Sequence, residues 1–490
     1  MTISTAVDPN ARASVVGIEE TFVDLRAGAA VALPQRIAVF GQGATAASYS
    51  LDKAQVLSAV EAGNTYGFGS PIHLAVQQLL PANGDGVGIV PVTVYPMEDA
   101  GGAIAATGDI TPSGAQTALG SYRVVINNIQ SEAFTIAAAA TVAQITAAMT
   151  TAINAVLDMP VVAVDNSTDV GLTSKWKGAS ANDIYVEVTG PSLGTIFTIT
   201  QPTGGATNPD VDTPLALMGT VWETLGLNCL DIADTDTLDK FEAFGVTRYD
   251  PLVHQEINFY TGNTAATVSA ATAVSNARKS DRVNGQLVAP GSVDLPFVVA
   301  ARQLARVASV ANNNPAKNYN GQRATGLTPG DDADQWDYIA RNTAFSQGSS
   351  TIVVRDGVIE LEDIRTFYNP DGDPFPAYEW QVDNCKRMNY IYQVALEFTQ
   401  DKWRGAPLIP DDQPTVNAAA RKPKDAVTAM SAIADGAAAE AWIADAAFAK
   451  ANTQAAITAP KRLEISQTIK LAGNSNIISI TENWGFFFGG

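Results

Sequence analysis

The chain has 490 residues, 46% of them hydrophobic, with 30 Lys plus Arg against 50 Asp plus Glu and a formal net charge of −20. That length exceeds what one hydrophobic core usually serves and predicts about three domains, while the acidic balance repels phosphates over any broad surface and argues against a nucleic-acid partner. No apolar run reaches the roughly 20 residues needed to cross a bilayer, and the opening MTISTAVDPNARASVV lacks the n- and h-regions of a signal peptide, so the expectation is no membrane insertion and a chain kept in the cytosol.

In chain order, VVGIEETFVDL (15–25) places Val16, Ile18 and Phe22 on one parity and predicts a lone strand with a half-buried face. RIAVFGQGATAAS (36–48) then runs a strand into Gly41-x-Gly43-x-x-Ala46, the spacing of a dinucleotide-binding loop. A true fingerprint starts its helix inside that loop, so that helix N–H groups face the phosphates. Here the next N-cap candidates are Ser50 and Asp52, predicting a helix near 52–62 on a Val56, Leu57, Val60 stripe. Glu61, at the spacing of a ribose-binding acid, falls inside that helix, so the motif reads as a tight turn and not as a nucleotide site.

Ser70 and Pro71 open a helix over 71–80, and GVGIVPVTVYP supplies the next strand. A Gly, Ala, Thr and Ser-rich stretch marks a boundary near 100. Beyond it lie a hairpin turning at Asn127–Asn128, a helix with Val142, Ile145, Met149, Ile153 and Val156 on its stripe, and strands in MPVVAVD, VGLTSKW and DIYVEVT. After about 210 the helix and strand alternation resumes: a helix near 235–245, a strand in QEINFYTG, a helix across 264–278, a strand in NGQLVAPG and a helix through LPFVVAARQLARVAS. IVVRDGVIELEDI predicts a tight hairpin at Asp356–Gly357. A helix of about seven turns is expected from Trp380 to Trp403, and an alanine-rich helical region over 425–455. The last segment pairs the parity set Leu463, Ile465, Ile469, Leu471 with Ile478, Ile480, Trp484, Phe486, Phe488. Strands this apolar at both chain ends would template aggregation if left bare, so they are expected to be covered or to add to neighbouring subunits.

These residues resemble the tail sheath proteins of Mu-like contractile phages. The resemblance is spread over nearly the whole chain: LPQRIAVFGQG and YGFGSPIHLAV early; YRVVINNI, TAINAVLDMPVVAV and LTSKWKGASANDIYVEV in the middle; NNNPAKNYNG, STIVVRDGVIELEDIRTFY and RLEISQTIKL late. The stretch RTFYNPDGDPFPAYEW departs from the family pattern. The resemblance implies an α+β multidomain protein with an α/β core domain built from both chain ends, an inserted smaller β-rich α+β domain, and extended terminal strand arms. The corresponding bounds are an N-terminal strand-exchange arm at 1–30, core at 31–99 and 211–460, an outward-facing insertion at 100–210, and a C-terminal strand arm at 461–490. It also implies a cofactor-free subunit of the virion, assembled in the host cytoplasm as a helical stack of rings, hexameric in the family. That stack surrounds a tail tube protein, meets baseplate and tail terminator proteins, and contracts to drive the tube through the host envelope. The strand arms would be carried by Val16, Ile18, Phe22, Ile465, Ile469, Leu471, Ile478, Ile480, Trp484, Phe486 and Phe488.

Basic islands in an acidic chain, Lys402 and Arg404, then Arg421, Lys422 and Lys424, are candidate contacts to a tube protein or neighbour, with solvated helix ends as the plainer reading. The rival class is a nucleotide- or metal-dependent soluble enzyme, and another self-assembling lattice protein is a third. Asp331, Asp332 and Asp334 with DGDPF (371–375) lack the calcium-loop spacing and read as turn acids, and Asp363 with Arg365 as a weak surface ion pair. Only His73 and His254 are available for acid–base work, and Cys229 and Cys385 are expected to be buried free thiols, so no catalytic or metal residue is assigned.

Overall fold

A computed structural model describes residues 31–372, 376–482 and 484. These described residues form a mixed α/β, multi-sheet protein that divides into two compact units, one of residues 32–392 with 473–484 and one of 393–472 with Val31. The division at 392/393 falls inside the helix Gln381–Phe398, where the periodicity gives no hint of a boundary.

The larger unit is organised by a six-stranded sheet in the order Asn284–Val288, Asn258–Asn263, Leu225–Asn228, Ile37–Gln42, Val92–Met97, Ala54–Val56. The first five are parallel and the short last one antiparallel. Parallel strands need helices on both faces, and the alternation of Ile37–Gln42 supplies both cores. Ile37 and Val39 join the core of helices Pro71–Leu79 and Pro296–Asn313, while Ala38 and Phe40 join that of Asp212–Met218 and Thr235–Arg248. On the second face Phe40 stacks on Tyr95 at 5.0 Å and Phe241 on Phe259 at 4.2 Å.

Residues 105–203 build two four-stranded sheets apart from the parallel one. Gly120–Ile126 pairs with Val186–Thr189, Ile129–Gln130 and Phe134–Ile136, and Ile196–Thr203, Ala105–Ser113, Val170–Lys177 and Val161–Asp165 form the other. Asn127 and Asn128, at φ 45° and 68°, make the expected tight turn. The helix Val142–Asn154 starts with a full capping box between Thr141 and Gln144 and buries Ile145, Met149 and Ile153. This segment shares one continuous core with the parallel sheet, where Trp176 meets Phe297 edge to face at 6.0 Å. The seam is also polar: Asn127 Nδ2 donates to Val293 O (2.8 Å) and Asp183 O (3.1 Å), and Lys175 Nζ to Phe68 O (3.0 Å) and Leu157 O (2.8 Å).

Several expectations are corrected. The helix expected at 52–62 is Ala59–Tyr66, because Ala54–Val56 pairs with Val92–Met97 and Ser58, not Ser50 or Asp52, accepts the capping N–H, from Glu61. Leu57 and Val60 are consequently exposed, and Ala62 and Tyr66 face the core. The helix across 264–278 is two short ones, Val268–Ala271 and Ala273–Ala277. The seven-turn helix ends at Phe398: Trp403 returns through a turn to lie 4.9 Å from Phe398, and its Nε1 donates to Glu397 (2.9 Å), so it keeps the stripe without extending the helix. The alanine-rich helical region is Pro423–Ala439 and Ala446–Ala451, and the run after it is a strand, Thr453–Ala459. The lone strand expected at 15–25 lies outside the described residues.

Arg365 does not pair with Asp363 at a surface. It is fully buried, its guanidinium binds Glu379 at 2.9 Å and lies 4.4 Å over Phe345, and burial pulls its pKa down to about 10. Asp363 points elsewhere, within 3.5 Å of Asn476 Nδ2.

Asp294 lies at the seam, 5% exposed, accepting from Thr328 N and from Ser292 Oγ. Burial pushes its carboxyl up to about 6 from 3.8. A carboxyl raised in the folded state stabilises below its unfolded pKa, and that contribution is lost as pH rises through about 6. Asp294→Asn is therefore expected to gain stability relative to wild type at pH 8, by about 2 kcal/mol, and to gain none at pH 4. Thermal melts of both proteins at the two pH values check this, and an equal difference at both would contradict it.

Candidate assembly surface

The opening glycine motif sits where open α/β sheets bind ligands, at the switch point between Ile37–Gln42 and Leu225–Asn228. Its donors are already used. Gly43 N donates to Tyr49 Oη (3.0 Å), Ala44 N to Tyr66 O (2.7 Å), Thr45 N to Lys175 O (2.7 Å) and Ala47 N to Ala44 O (2.8 Å). A Cβ on Gly41 would lie 3.2 Å from Cys229 Sγ and one on Gly43 2.3 Å from the Tyr49 ring, so both glycines serve close packing. The carboxylate of Asp99 occupies the mouth, accepting from Gln42 Nε2 (2.7 Å), Thr45 Oγ1 (2.6 Å) and Lys177 N (3.3 Å). A phosphate would meet a negative charge and a spent set of amides.

The other enzyme candidates are not drawn together. His73 is buried, its Nδ1 accepting from Gly69 N (3.1 Å) and its Nε2 3.8 Å from Asp158 Oδ1, and burial lowers its pKa. Cys229 and Cys385 are free and buried, which raises both thiols, Cys385 to about 12. Asp331 and Asp332 are exposed in the loop before helix Tyr338–Ser346, and Asp371 pairs with Lys279 at 2.8 Å. Among the described residues no three His, Cys, Asp or Glu side chains group as metal ligands, and no helix is long and apolar enough to cross a membrane.

What the smaller unit does present is a two-stranded antiparallel sheet, Thr453–Ala459 with Arg462–Gln467, turning at Pro460–Lys461. Ala455 faces Ile465 and Ile457 faces Leu463 across the pair. Helix Pro423–Ala439 packs on Thr453–Ala459, and Leu463 and Ile465 line a cavity of about 620 Å³ with Phe398, Trp403 and Leu408. Among the described residues neither strand pairs with a third strand, so the hairpin is a sheet of two strands only.

The expected C-terminal arm is therefore redrawn from 461. Ile465 belongs to this intrachain hairpin; Ile469 and Leu471 follow it half-buried, Leu471 bridging to Ile443. Ile478, Ile480 and Trp484 lie in no strand and are 74%, 77% and 89% exposed, and Ile477, which parity assigned to no apolar set, is 89% exposed. Val16, Ile18, Phe22, Phe486 and Phe488 lie outside the described residues.

Of the five basic candidates, three are engaged locally. Lys402 pairs with Glu397 (2.6 Å), Arg421 donates to Ala418 O and Ala420 O (both 3.0 Å) 5.9 Å from the Trp403 ring centroid, and Lys422 Nζ reaches Gln413 O (2.5 Å). Lys402 and Arg421 line one groove with Trp403 and Asp425. Arg404 and Lys424 are exposed.

The geometry is that of a mixed α/β protein with a two-stranded hairpin on its smaller unit and a filled crevice at the switch point of its parallel sheet, and its similarities lie with phage tail sheath proteins. The chain is 25% identical over 368 residues, 73% of either chain, to the Mu-like prophage FluMu tail sheath protein of Haemophilus influenzae, which bears out the resemblance carried by its motifs. Among solved structures it is similar to a sheath tail protein from Listeria innocua (12% identity, 91% of this chain and 94% of that one, TM-score 0.48) and one from Desulfitobacterium hafniense (10%, 93% and 100%, 0.46). It is also similar to a chain of the anti-feeding prophage baseplate (9%, 97% and 100%, 0.47). No protein-family model matches the chain.

Arg404→Glu and Lys424→Glu are expected to leave the unfolding free energy within about 0.5 kcal/mol of wild type, since both side chains are exposed. Trp403→Ala, which empties the contact with Phe398 and removes the indole N–H that Glu397 accepts, is expected to cost about 2–4 kcal/mol. Chemical denaturation of the three variants, followed by tryptophan emission and circular dichroism, separates the two groups.

Proposed function

We propose that this chain is the structural, non-enzymatic subunit of a contractile phage tail sheath. It polymerises helically around a tail tube and contracts to drive the tube through the host envelope for genome delivery. The observation that carries the proposal is the similarity over 368 residues to a tail sheath protein, in a chain that has a hairpin of only two strands, Thr453–Gln467, and an exposed apolar tail of Ile477, Ile478, Ile480 and Trp484. On this reading the hairpin supplies an acceptor edge and the tail an apolar strand-like donor, as β-addition between identical subunits requires.

On this proposal residues 1–30 and the C-terminal end are strand arms, 31–99 and 211–460 the core, and 100–210 an insertion directed outward. The rings are hexameric, as the family resemblance implies, and the partners are the tube, baseplate and terminator proteins of a virion assembled in the host cytoplasm. No cofactor takes part. Energy comes from passing between two lattices with different intersubunit burial, linked by strands that do not let go.

Purified full-length protein, concentrated in moderate salt, is expected to form hollow striated cylinders in negative-stain electron microscopy. Deleting 477–490 is expected to leave a folded monomer with an unchanged circular dichroism spectrum and no cylinders. Long tubes from the truncated chain would remove the tail from the assembly mechanism, and single particles from the intact chain at high concentration would remove the sheath proposal.

A further inference from the structure

Three segments far apart in sequence meet on residues 474–476. The first is NNNPAKNYNG (312–321), the second the exit of the 352–361 hairpin at Asp363, and the third the helix Gln381–Phe398 at Lys386. Lys386 is 0% exposed, and its Nζ donates to Asp383 Oδ1 (2.9 Å) and Asn474 Oδ1 (2.5 Å). Asn474 Nδ2 donates to Ala316 O (2.8 Å), so both ends of that amide are used. Asn318 Nδ2 donates to Asn476 Oδ1 (2.7 Å), Asn476 Nδ2 lies 3.5 Å from Asp363 Oδ1, and Asn476 N donates back to Asn474 O (3.1 Å).

A buried ammonium has to keep its hydrogen-bond acceptors, so Asn474 is held by a group that cannot cheaply release it. One residue past Asn476 the environment inverts, with Ile477 at 89% exposure. The chain therefore changes from hydrogen-bonded to bare within a single step.

We propose that Asn474 and Asn476 form a clasp that fixes the point where the C-terminal tail leaves the core, and so presents the tail to a second copy from a defined origin. The clasp is a property of the single chain; only its consequence for assembly rests on the sheath proposal. A fixed origin narrows the volume the tail explores and raises its effective concentration at a neighbour's edge, which a freely swinging tail of the same composition would not do. Asn474 and Asn476 act here as positioning residues, and Ala316, Asn318, Asp363 and Lys386 as their seats.

The experiment measures the clasp and the assembly separately. Nitroxides are attached at Lys317→Cys and Ser479→Cys; both positions are exposed, and the native Cys229 and Cys385 are buried. Pulsed dipolar spectroscopy on the unassembled chain should give a narrow distance distribution, and Asn474→Ala with Asn476→Ala should broaden it at least about twofold. Asn474→Asp keeps an oxygen for Lys386 Nζ and should restore most of the width, which a merely destabilised variant would not do. If the double variant fails to fold, Asn476→Ala alone, which leaves the acceptors of Lys386 in place, is expected to broaden the distribution in the same direction. In electron microscopy the double variant should need roughly tenfold more protein to form tubes. Equal widths in wild type and folded variants would overturn the clasp even if both form tubes. Broadening in a chain that never forms tubes would uphold the clasp and overturn the sheath proposal instead.

Discussion

Everything in the larger unit depends on what fills the one switch point of its parallel sheet. A doubly wound sheet leaves a crevice between the two strands from which the connections diverge, here Ile37–Gln42 and Leu225–Asn228. In this chain Lys175 O accepts from Thr45 N, Lys177 O accepts from Gln42 Nε2 at 2.9 Å, and the Asp99 carboxylate closes the mouth. The crevice has become a joint. Thr45 N, one of the amides that would cradle a phosphate, binds the segment 105–203 to the sheet together with the Gln42 side chain, and Trp176 against Phe297 makes the joint apolar as well as polar.

Local chemistry decided which parts of this fold could be read beforehand. Asn127–Asn128 and Asp356–Gly357 demand positive φ at two successive residues, which few sequences tolerate, so the hairpins there were legible. Ser70 with Pro71 marked a helix start by equally local means, a capping hydroxyl followed by a ring-fixed φ. Failures came where two patterns competed. Val56, Leu57 and Val60 fit a helical stripe, but the long-range pairing of Ala54–Val56 with Val92–Met97 claimed the first of them. The strand Thr453–Ala459 reads TQAAITA, and its alanines continue the composition of the helix before it, so only its partner Arg462–Gln467 stood out. The partner was then assigned to the wrong neighbour, because parity fixes which face a strand shows and says nothing about what it pairs with.

The candidate surface was legible to a smaller degree. Apolar parity singled out Ile478, Ile480 and Trp484, which are exposed, but the hairpin Thr453–Gln467 was visible only as half of itself. Basic spacing grouped Lys402, Arg404, Arg421, Lys422 and Lys424, yet it could not separate the residues tied to local carbonyls and Glu397 from those left in solvent. Charge runs report composition along the chain; which charges are spent depends on how the local loop folds back on itself.

The helix Gln381–Phe398 shows why hydrophobic periodicity alone underestimates order in this protein. Its buried residues include Gln381, Asn384, Lys386 and Asn389, side chains that a stripe analysis counts as solvent-facing. Each is answered: Gln381 accepts from Tyr260 Oη (2.8 Å), Asn384 donates to Asn258, Asn389 accepts from Leu33 N (2.7 Å), and neighbouring Arg387 forks onto Glu256. An apolar face would pack at many registers with similar energy, whereas this one has a single register in which its amides and charges are paired. The helix is thereby keyed to the strand Asn258–Asn263 and to the start of the described chain. Residues 474–476 add their own pairing with Lys386 on that same helix. The polar face that makes the helix hard to read thus fixes its register on the sheet and the point at which the exposed tail begins.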